Sequence, residues 1–586
     1  MPDGSFVKGT NSNAPFSLKV HRGEGMVLLA MDWKTGKPPK DFVGFSIEYR
    51  YPQKSVFWPV RNRIHFPGKA KPTPLGKPPE QYPSTEAPFQ IFRWVHFPKV
   101  ADTPGVFTYR VTPRFMNSEG ILAAGVPQQV DLEIYSETDP GKINIAFTRG
   151  YVSSQSFVDR FGGEEGFGKL IPPTADAGND FVPTHDKADE AYQWMGFEAR
   201  ERILDLLDKA IAKQADVMVV AYELNLPELI GRFAKIGSRL RIIIDDSVST
   251  SKKKDGTVVI KDKGAPHSPE SRAEAVLKAA GAKTCRQHMG VLQHNKMIIV
   301  DGPNFKRVVL GSTNFSWRGF FVQSNNAVIV YGSAVVAQQR EAFEAYWEGS
   351  AESFGASQSS RWLPLQVDGL DAEISMSPHK AANSTQAAIA ADMDSASSSL
   401  FYSLAFLNIT SGPVTDAVVN AIKRPDLFVY GVSDKRKGIV LLQPDGNPEP
   451  VSAASLGKGM PEPFRSEASG GSGVKMHHKF VVIDFDKPSA RVYTGSYNFS
   501  KPADRSNGEN LLVIRNRRIA TAYMVEALRI FDAYQFRVSS KKKPAPGVPA
   551  KKIKELGIPP VLPGEKPWWD KFWSVPIKAK DRKIFA

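Results

Sequence analysis

The chain of 586 residues is poor in cysteine, since Cys285 is the only one. A single cysteine excludes an intrachain disulfide and a cysteine-based zinc cluster. No uninterrupted apolar run approaches the ~20 residues of a membrane span, and the opening residues, MPDGSFVKGTNSNAPFS, lack the apolar core of a signal peptide. We therefore expect a cytoplasmic protein, with export without a leader left open.

Positive charge is abundant but unevenly distributed. The net charge is +15, and residues 541–586 alone hold 12 Lys and Arg against 4 Asp and Glu, which is +8. A basic excess favours polyanionic partners, either nucleic acid or an anionic lipid surface. The remainder of the chain is ordinary in charge, so this inference applies mainly to the tail.

The tail also carries a cluster of aromatic residues, Trp568, Trp569, Phe572 and Trp573. One interpretation is peripheral membrane contact, with the rings in the interface beside the lysines. The other is a C-terminal strap that packs on a domain of the same chain. Both interpretations stay open at the level of sequence.

Residues 1–140 have the pattern of an all-β domain. Apolar and polar residues alternate in FSIEYR (45–50), VFTYRV (106–111) and VDLEIY (130–135), and Pro- and Gly-rich stretches separate such segments. Alternation with a period of two predicts half-buried antiparallel strands. We expect a β-sandwich of the immunoglobulin or fibronectin type III kind, serving as a structural or docking module.

From about residue 141, helix and strand patterns alternate, and the series occurs twice. Corresponding residues keep a nearly constant separation: Ala221 to Ala405 is 184 positions and His294 to His477 is 183. We infer a tandem duplication, 141–360 and 361–540, in which each repeat is an α/β/α layer with an apolar sheet covered on both faces. Residues 541–586 then form a basic tail rich in Pro and Trp.

Long stretches that we interpret as irregular loops occupy the same place in both repeats, at 251–272 and 436–475. Loops at the carboxyl ends of strands are where α/β folds commonly hold specificity.

Each repeat contains His-x-Lys, four residues, Asp, and then Gly-Ser-x-Asn-Phe-Ser. The residues are His294, Lys296, Asp301, Gly311, Ser312 and Asn314 in the first repeat, and His477, Lys479, Asp484, Gly495, Ser496 and Asn498 in the second. Alternate residues of a strand share a face. The His and Lys of each motif should therefore point into one site, with Asn295 and His478 directed elsewhere.

These residue types suit the chemistry of a phosphodiester. Lysine and asparagine donors can hold the non-bridging oxygens as charge builds on phosphorus. Imidazole can attack phosphorus or protonate a leaving alkoxide. Attack and departure occur on opposite sides of phosphorus, so two histidines must face each other, and the duplication supplies both. With lysines providing the electrostatic stabilisation, no metal or other cofactor is required.

The doubled motif resembles that of the phospholipase D superfamily, the HKD-motif phosphodiesterases, over roughly residues 142–535. The resemblance implies a covalent phosphohistidine intermediate, with His294 and His477 as nucleophile and general acid. It also implies that Lys296, Lys479, Asn314 and Asn498 bind phosphate. It assigns supporting roles to Asp301 and Asp484 and places Ser312 and Ser496 along the phosphate pocket.

Members of this superfamily often carry a carboxylate about eleven residues after the motif asparagine, where it raises the basicity of the histidine. That position is Glu509 in the second repeat but Asn325 in the first. Local chemistry thus favours His477 as the nucleophile, whereas the habit of the family favours His294. The assignment of roles stays open.

Other interpretations compete with this one. A zinc site could use His294, His477, His478 and Asp301, although the paired lysines would repel a cation. The second repeat could be degenerate, or the chain could be a non-enzymatic adaptor. We expect a monomeric enzyme that acts on phospholipid by hydrolysis or transfer. A nuclease is the alternative, favoured by Lys252, Lys253, Lys254, Trp317 and Arg318.

Overall fold

The computed structural model describes the chain with several gaps. The described residues are 4–69, 80–98, 101, 103–134, 137–150, 157, 160–162, 164–252, 258–405, 411–435, 438–442, 448–452, 476–539 and 555–586. The chain divides into two compact units. One contains Met1–Ser136, Thr521–Arg529 and Phe536–Ala586, and the other contains Glu137–Ala520 and Ile530–Gln535.

The N-terminal region of the first unit is all-β, as the alternating pattern predicts. One antiparallel sheet has the strand order Phe6–Lys8, Phe16–Arg22, Val27–Trp33, Arg93–His96. Another has the order Leu122–Ala124, Val106–Met116, Phe42–Arg50, Trp58–Pro59, with Gln128–Glu133 also paired to Val106–Met116. A short pair joins Arg61–Asn62 to Tyr82–Pro83. Apolar residues from both larger sheets, such as Phe16 and Phe45, share one core.

The C-terminal segment completes this core. Its helices are Lys571–Ser574 and Pro576–Phe585, and Trp569 and Phe572 are buried in the core of the β region. The indole N–H of Trp568 donates to the carbonyl of Phe42 at 2.8 Å, and His21 contacts the carbonyl of Phe585 at 2.6 Å. These aromatic residues therefore act as a strap, as the second interpretation of the tail predicts, and are not displayed for a membrane.

The first repeat is built on a mixed sheet. Its strands lie in the order Ile143–Phe147, Asn326–Tyr331, Phe305–Gly311, Lys296–Gly302, Asp216–Ala221, Leu240–Ile244, Lys283–Arg286. Its α-helices in the described ranges are Glu164–Gly168, Ala188–Ala212 (with non-helical backbone at Phe197), Pro227–Ile236, Pro269–Ala279, Ser333–Glu348 and Ala351–Ala356. Short helical turns are Gly178–Asp180, Gly237–Arg239, Arg318–Val322 and Gln358–Ser360.

The second repeat has the same central strand order. Its sheet runs Leu363–Pro364, Ala372–Ser377, Glu509–Ile514, Arg491–Gly495, Lys479–Ile483, Ser399–Leu404, Phe428–Lys435, Gly438–Leu442, Pro448–Ser452. The helices in its described ranges are Ala381–Asn383, Gln386–Asp394, Pro413–Lys423, Lys501–Arg505 and Arg517–Ser539. The repeated strand order supports the inferred duplication.

The stretches predicted to be irregular loops contain strands. In the first repeat, Val248–Lys252 and Val258–Asp262 form an antiparallel hairpin, and the helix Pro269–Ala279 begins inside the predicted loop. In the second repeat, Gly438–Leu442 and Pro448–Ser452 extend the main sheet. The rest of that predicted loop, residues 436–437, 443–447 and 453–475, lies outside the described residues. The loop prediction was wrong because Pro, Gly and Lys between short apolar runs conceal hairpins.

Within the ranges given above, none of the helices combines the length and the apolar character needed to cross a membrane.

Candidate active site

The sheet order brings the two motif strands to equivalent positions. Lys296, the first residue of its strand, pairs with Ala221, the last residue of the neighbouring strand. Lys479 also begins its strand and pairs with Leu404, the last residue of the strand beside it. Each motif histidine lies two residues earlier, just before its strand begins. The site therefore occupies the sheet edge where α/β folds usually bind ligands.

The two histidines come together from opposite repeats. The ring centroids of His294 and His477 lie 5.9 Å apart, with the ring planes inclined at 66°. Both side chains are buried, as are the neighbouring Lys296 and Lys479. Each lysine ammonium donates to the carbonyl of its own motif histidine, at 2.7 Å from Lys479. The prediction that the histidines face each other is confirmed.

His294 is supported by a carboxylate from the other repeat. Its Nδ1 lies 2.8 Å from Oε2 of Glu509, which is fully buried. The same oxygen accepts a hydrogen bond from the hydroxyl of Ser496 at 2.6 Å. Because a carboxylate accepts, Nδ1 of His294 carries the hydrogen, and Nε2 is the nitrogen available for chemistry.

His477 is supported by an amide, also from the other repeat. Its Nδ1 lies 2.8 Å from Oδ1 of Asn325 and 3.1 Å from the carbonyl oxygen of Ser312. The hydroxyl of Ser312 donates to the same amide oxygen at 3.0 Å. The distance from Nδ1 to the supporting oxygen is the same for both histidines, but the acceptor of His477 is a neutral amide and that of His294 is a carboxylate.

These contacts correct two predictions. Glu509 does not support His477, the histidine of its own repeat, but His294 in the other repeat. The local argument for the nucleophile therefore points to His294. Ser312 and Ser496 do not line the phosphate pocket through their hydroxyls, because each hydroxyl donates to the residue that holds the opposite histidine. Spacing singled out residues that the structure brings together, but it carried no information about contacts between the repeats.

Burial and neighbouring charges shift the pKa values in this cluster. Burial, reinforced by Lys296, Lys479 and Lys263, lowers the pKa of His294 well below its ordinary value. Burial and the two motif lysines lower the pKa of His477 in the same direction. Burial raises the pKa of Glu509 to about 7, although Lys296 opposes that shift. Burial also lowers the pKa of Lys296, although Glu509 opposes that shift. The empty site therefore disfavours added positive charge on these side chains, and a bound anion would relieve that penalty.

The glycine of each Gly-Ser-x-Asn segment lies against the backbone of a neighbouring strand, and the serine and asparagine that follow it are close to the site. Gly311 and Gly495 have φ values of +117° and +144°, a region that side-chain-bearing residues rarely adopt. A Cβ at Gly311 would also lie only 2.6 Å from the carbonyl oxygen of Asn326. The side-chain oxygens of Asn314 and Asn498 are buried and make no hydrogen bond within the described part of the chain.

The motif aspartates lie away from the histidines and differ in their contacts. Asp484 is buried and accepts the backbone N–H groups of Ser397, Ser398 and Ser399 at 2.7–3.1 Å. Asp301 is partly exposed and forms ion pairs with Lys306 and Arg340. Each aspartate supports its own strand end, so neither is positioned for proton transfer at the site.

The sequence reasoning missed a cluster beside His294. The ring of Tyr222 lies 4.6 Å from the His294 ring, and the ammonium groups of Lys296 and Lys263 lie 4.7 Å and 3.2 Å from the Tyr222 centroid. Tyr222 directly follows the strand that pairs with Lys296, and that position is the signal that could have identified it. Lys263 comes from the predicted loop and offered no such signal.

Buried acids balance Lys263 and connect it to the motif. Its ammonium lies 3.5 Å from Asp245 and 3.8 Å from Glu270. Asp245 also accepts the backbone N–H of Gln293 at 2.7 Å, immediately before His294. Lys263 is thus tied to the segment that carries the first histidine.

Several other predicted residues prove to be structural. Asn295 accepts a hydrogen bond from Asn510 at 2.7 Å, and His478 packs against Phe147 with ring centroids 5.7 Å apart, so both point away from the site as predicted. Trp317 is buried, and its indole N–H donates to Gly178 at 2.9 Å. It is therefore no base-stacking platform, and Lys253 and Lys254 lie outside the described residues.

The four residues considered for zinc do not gather in one place. Asp301 lies at the far end of its strand from Lys296 and pairs with two cations. Over the described ranges, no group of three or more His, Cys, Asp and Glu side chains is arranged to hold a metal ion.

Comparison with known proteins agrees with the motif geometry. The family model described as "Cardiolipin synthase, PLD-like domain" matches residues 203–347 and 389–531. Each matched segment contains one His-x-Lys motif, so the family model recognises both repeats.

The matches to curated relatives are short. A phospholipase D of Rickettsia felis is 42% identical over 48 residues, which are 8% of this chain and 22% of that protein. A mitochondrial cardiolipin hydrolase of Xenopus tropicalis is 41% identical over 59 residues, 10% of this chain and 26% of that protein. The chain thus spans only about a quarter of the length of such relatives.

Solved structures with partial likeness include Nuc, a phospholipase D family member from Salmonella typhimurium. It is 22% identical and covers 29% of this chain and 95% of its own, with a TM-score of 0.19. Phosphatidylserine synthase from Haemophilus influenzae is 12% identical, covers 58% of this chain and 84% of its own, and gives a TM-score of 0.37. With both motifs intact, and with the family model matching both repeats, the chain belongs to the phospholipase D superfamily.

Proposed function

We propose that this chain is a metal-independent phosphodiesterase of phospholipase D type that cleaves a phospholipid through a phosphohistidine intermediate. The observation that carries the proposal is the pair of buried imidazoles 5.9 Å apart, of which only His294 is backed by a carboxylate. Two histidines with different supports suit two different roles.

In the first step, Nε2 of His294 attacks phosphorus. A P–N bond forms and the P–O bond to the leaving alkoxide breaks, while His477 donates its proton to the departing oxygen. Glu509 accepts Nδ1–H of His294 and stabilises the positive charge that develops on that ring. Asn325 holds the other ring in place without a charge, which suits a proton donor.

In the second step, water or an alcohol resolves the intermediate. His477, now neutral, removes a proton from the incoming hydroxyl as its oxygen attacks phosphorus. The P–N bond breaks, its electron pair returns to His294, and both histidines regain their starting states. Water gives hydrolysis, and an alcohol gives transfer.

The lysines and asparagines account for phosphate binding. Lys296 and Lys479 flank the histidines, and the Asn314 and Asn498 amides can donate to non-bridging oxygens. A bound phosphodiester anion offsets the lysine charges that lower the pKa of His477. Binding therefore favours the protonated His477 that the first step needs, and the lysines supply the charge stabilisation that a metal provides elsewhere.

Phospholipid is the proposed substrate class. The family model is described by a cardiolipin synthase, and the short curated matches are named phospholipase D and cardiolipin hydrolase. We also propose that the repeats form an internal pseudo-dimer, that the β region is immunoglobulin- or fibronectin-like, and that the protein is a monomer. Burial of Trp317 removes one argument for the nuclease alternative.

The test is hydrolysis in EDTA of phosphatidyl lipids and, separately, of single- and double-stranded DNA. We expect lipid turnover that EDTA does not affect and that is lost in His294→Ala and His477→Ala. His267→Ala, at an exposed histidine, is the matched control and should retain the wild-type rate.

Activity that EDTA abolishes would refute the metal-independent mechanism. Activity that survives both active-site substitutions would refute the site itself. Turnover of DNA without turnover of lipid would refute the substrate class and leave the mechanism standing.

A further inference from the structure

The hairpin of the first repeat, Val248–Lys252 with Val258–Asp262, displays apolar side chains to solvent. Within the described residues its strands pair only with each other, and an isolated pair of strands is marginally stable in water. Val248, Val258 and Ile260 are 60%, 58% and 63% exposed. Three aliphatic side chains left in water on so small an element indicate a surface that meets a partner.

The strand register gathers these residues on one face. Val248 pairs with Asp262, Thr250 with Ile260, and Lys252 with Val258. Directly opposed residues of an antiparallel pair share a face, and so do alternate residues along each strand. Val248, Val258 and Ile260 therefore lie on one face, which we name the hairpin face and which also holds positions 250, 252 and 262.

Both ends of the hairpin are anchored beside the catalytic histidine. Before it, Ser247 donates to Asp245 at 2.5 Å, and Asp245 holds the backbone next to His294. After it, Lys263 covers the ring of Tyr222, which contacts His294. A partner bound to the hairpin face would consequently be held close to the reacting phosphorus.

The composition of this segment identifies the kind of partner. The sequence between residues 248 and 262 has lysines at 252, 253, 254 and 261 and aspartates at 255 and 262, and residues 253–257 lie outside the described structure. Aliphatic side chains among lysines suit the boundary between headgroups and acyl chains of an anionic lipid surface. The segment has no aromatic residue, so it lacks the stacking groups with which proteins bind single-stranded nucleic acid.

We propose that the hairpin face docks on an anionic lipid surface and thereby brings the active site to a membrane-embedded substrate. This inference rests on the proposed phospholipid specificity. Trp569 and Phe572 of the C-terminal strap are buried, and Trp568 and Trp573 pack against the same core. We therefore assign membrane contact to this hairpin and not to the tail.

The decisive variant combines Val248→Ser, Val258→Ser and Ile260→Ser in the full-length chain. Binding is measured by sedimentation with vesicles of phosphatidylcholine and phosphatidylglycerol, and with phosphatidylcholine alone. Loss of three partly inserted aliphatic side chains should weaken binding to the mixed vesicles roughly 10- to 100-fold. Lys261→Gln should weaken it about fivefold, and added salt should reduce that difference.

A matched control carries Val182→Ser, Val276→Ser and Val419→Ser, which are equally conservative changes at exposed valines. It should bind vesicles like the wild type. Hydrolysis of bis(p-nitrophenyl) phosphate, a soluble diester, should remain within about twofold in both triple variants, because the hairpin face is not part of the catalytic group.

A direct readout uses Ile260→Cys labelled with an environment-sensitive dye in a Cys285→Ser background. Emission should shift to the blue on addition of anionic vesicles, whereas the same dye at Val276→Cys should not respond. Equal vesicle binding by the hairpin variant and the wild type would overturn the proposal. So would loss of soluble-diester hydrolysis in that variant, or light scattering that shows the hairpin face holding a second copy of the chain.

The two proposals fail in distinguishable ways. If the wild type binds anionic vesicles through the hairpin but cleaves only DNA, the substrate assignment is wrong and the docking surface stands. If it cleaves lipid monomers but does not bind vesicles, the docking surface is wrong and the proposed function stands.

Discussion

The two repeats place the same motif residues on the same strands, yet they surround their histidines differently. His294 has a carboxylate at 2.8 Å and His477 has an amide at 2.8 Å. In both cases the supporting side chain comes from the opposite repeat, held by a serine of the Gly-Ser-x-Asn segment. Duplication thus supplied a symmetric framework, and in the proposed mechanism a single acid-to-amide difference distinguishes the nucleophile from the general acid.

The largest expected effect comes from removing either histidine, and it separates their roles. His294→Ala and His477→Ala should each lower lipid turnover by roughly 10⁴-fold or more. With a p-nitrophenyl diester, whose leaving group needs no proton, His477→Ala should still form the phosphoenzyme and accumulate it. Peptide mapping after rapid quenching should then find the label on His294.

His294→Ala should form no phosphoenzyme, and His267→Ala should turn over normally. A label on the peptide that contains His477 would show that His477, and not His294, is the nucleophile.

Glu509→Gln tests the difference directly because it makes the two histidine supports alike. Without the charged acceptor, the imidazolium that develops at His294 loses its stabilisation, so kcat should fall roughly 10²- to 10³-fold with little change in KM. Asn325→Ala is the matched change behind His477 and should cost less, since it removes a neutral hydrogen bond. Equal losses from the two substitutions would show that the carboxylate has no special role.

The pH dependence should follow Glu509. Its pKa of about 7 means that the carboxylate is ionised above that pH and protonated below it. Since only the ionised form accepts Nδ1–H while bearing charge, kcat/KM for a soluble diester should fall about tenfold per pH unit below pH 7. In Glu509→Gln this acid limb should disappear, and its persistence would assign the limb to another group.

Substitution of the two motif aspartates should have the smallest effect on activity, but the two substitutions should differ clearly in their effect on stability. Asp484 accepts three backbone N–H groups in a buried position, so Asp484→Ala should lower the free energy of unfolding by about 2–4 kcal/mol. Asp301→Ala breaks partly exposed ion pairs and should cost under about 1 kcal/mol. Denaturant unfolding would measure both, and hydrolysis should stay near wild type under native conditions.

Much of the fold could be read from the sequence because it depends on local periodicity and on repetition. The offset of 183–184 residues aligned the strands that begin at Asp216, Lys296 and Asn326 with their counterparts in the second repeat. The His-x-Lys spacing singled out the two histidines and two lysines that the structure brings together. Glu509 was also found by spacing, but its partner was not. The contact spans 215 residues, and a spacing rule within one repeat carries no information about a contact between repeats.

Tyr222 and Lys263 show a second reason for failure. Lys263 covers Tyr222, and Tyr222 contacts His294. This arrangement depends on how a hairpin returns to the sheet edge, and neither residue belongs to a repeated pattern. The strap residues show a third reason. The sequence of an aromatic, basic segment is compatible both with membrane contact and with packing in a core, and only the partners of its indole N–H groups distinguish the two.

The buried strap also has a consequence for the order of events during synthesis. Trp569 and Phe572 belong to the core of strands that precede residue 135. That core is incomplete until about 440 further residues, from Glu133 to Phe572, have been added to the chain, which takes about 20–90 s at ordinary translation rates. The β region emerges from the ribosome before the two repeats but completes its core after them, so its early strands spend that interval with exposed apolar faces that a chaperone would recognise.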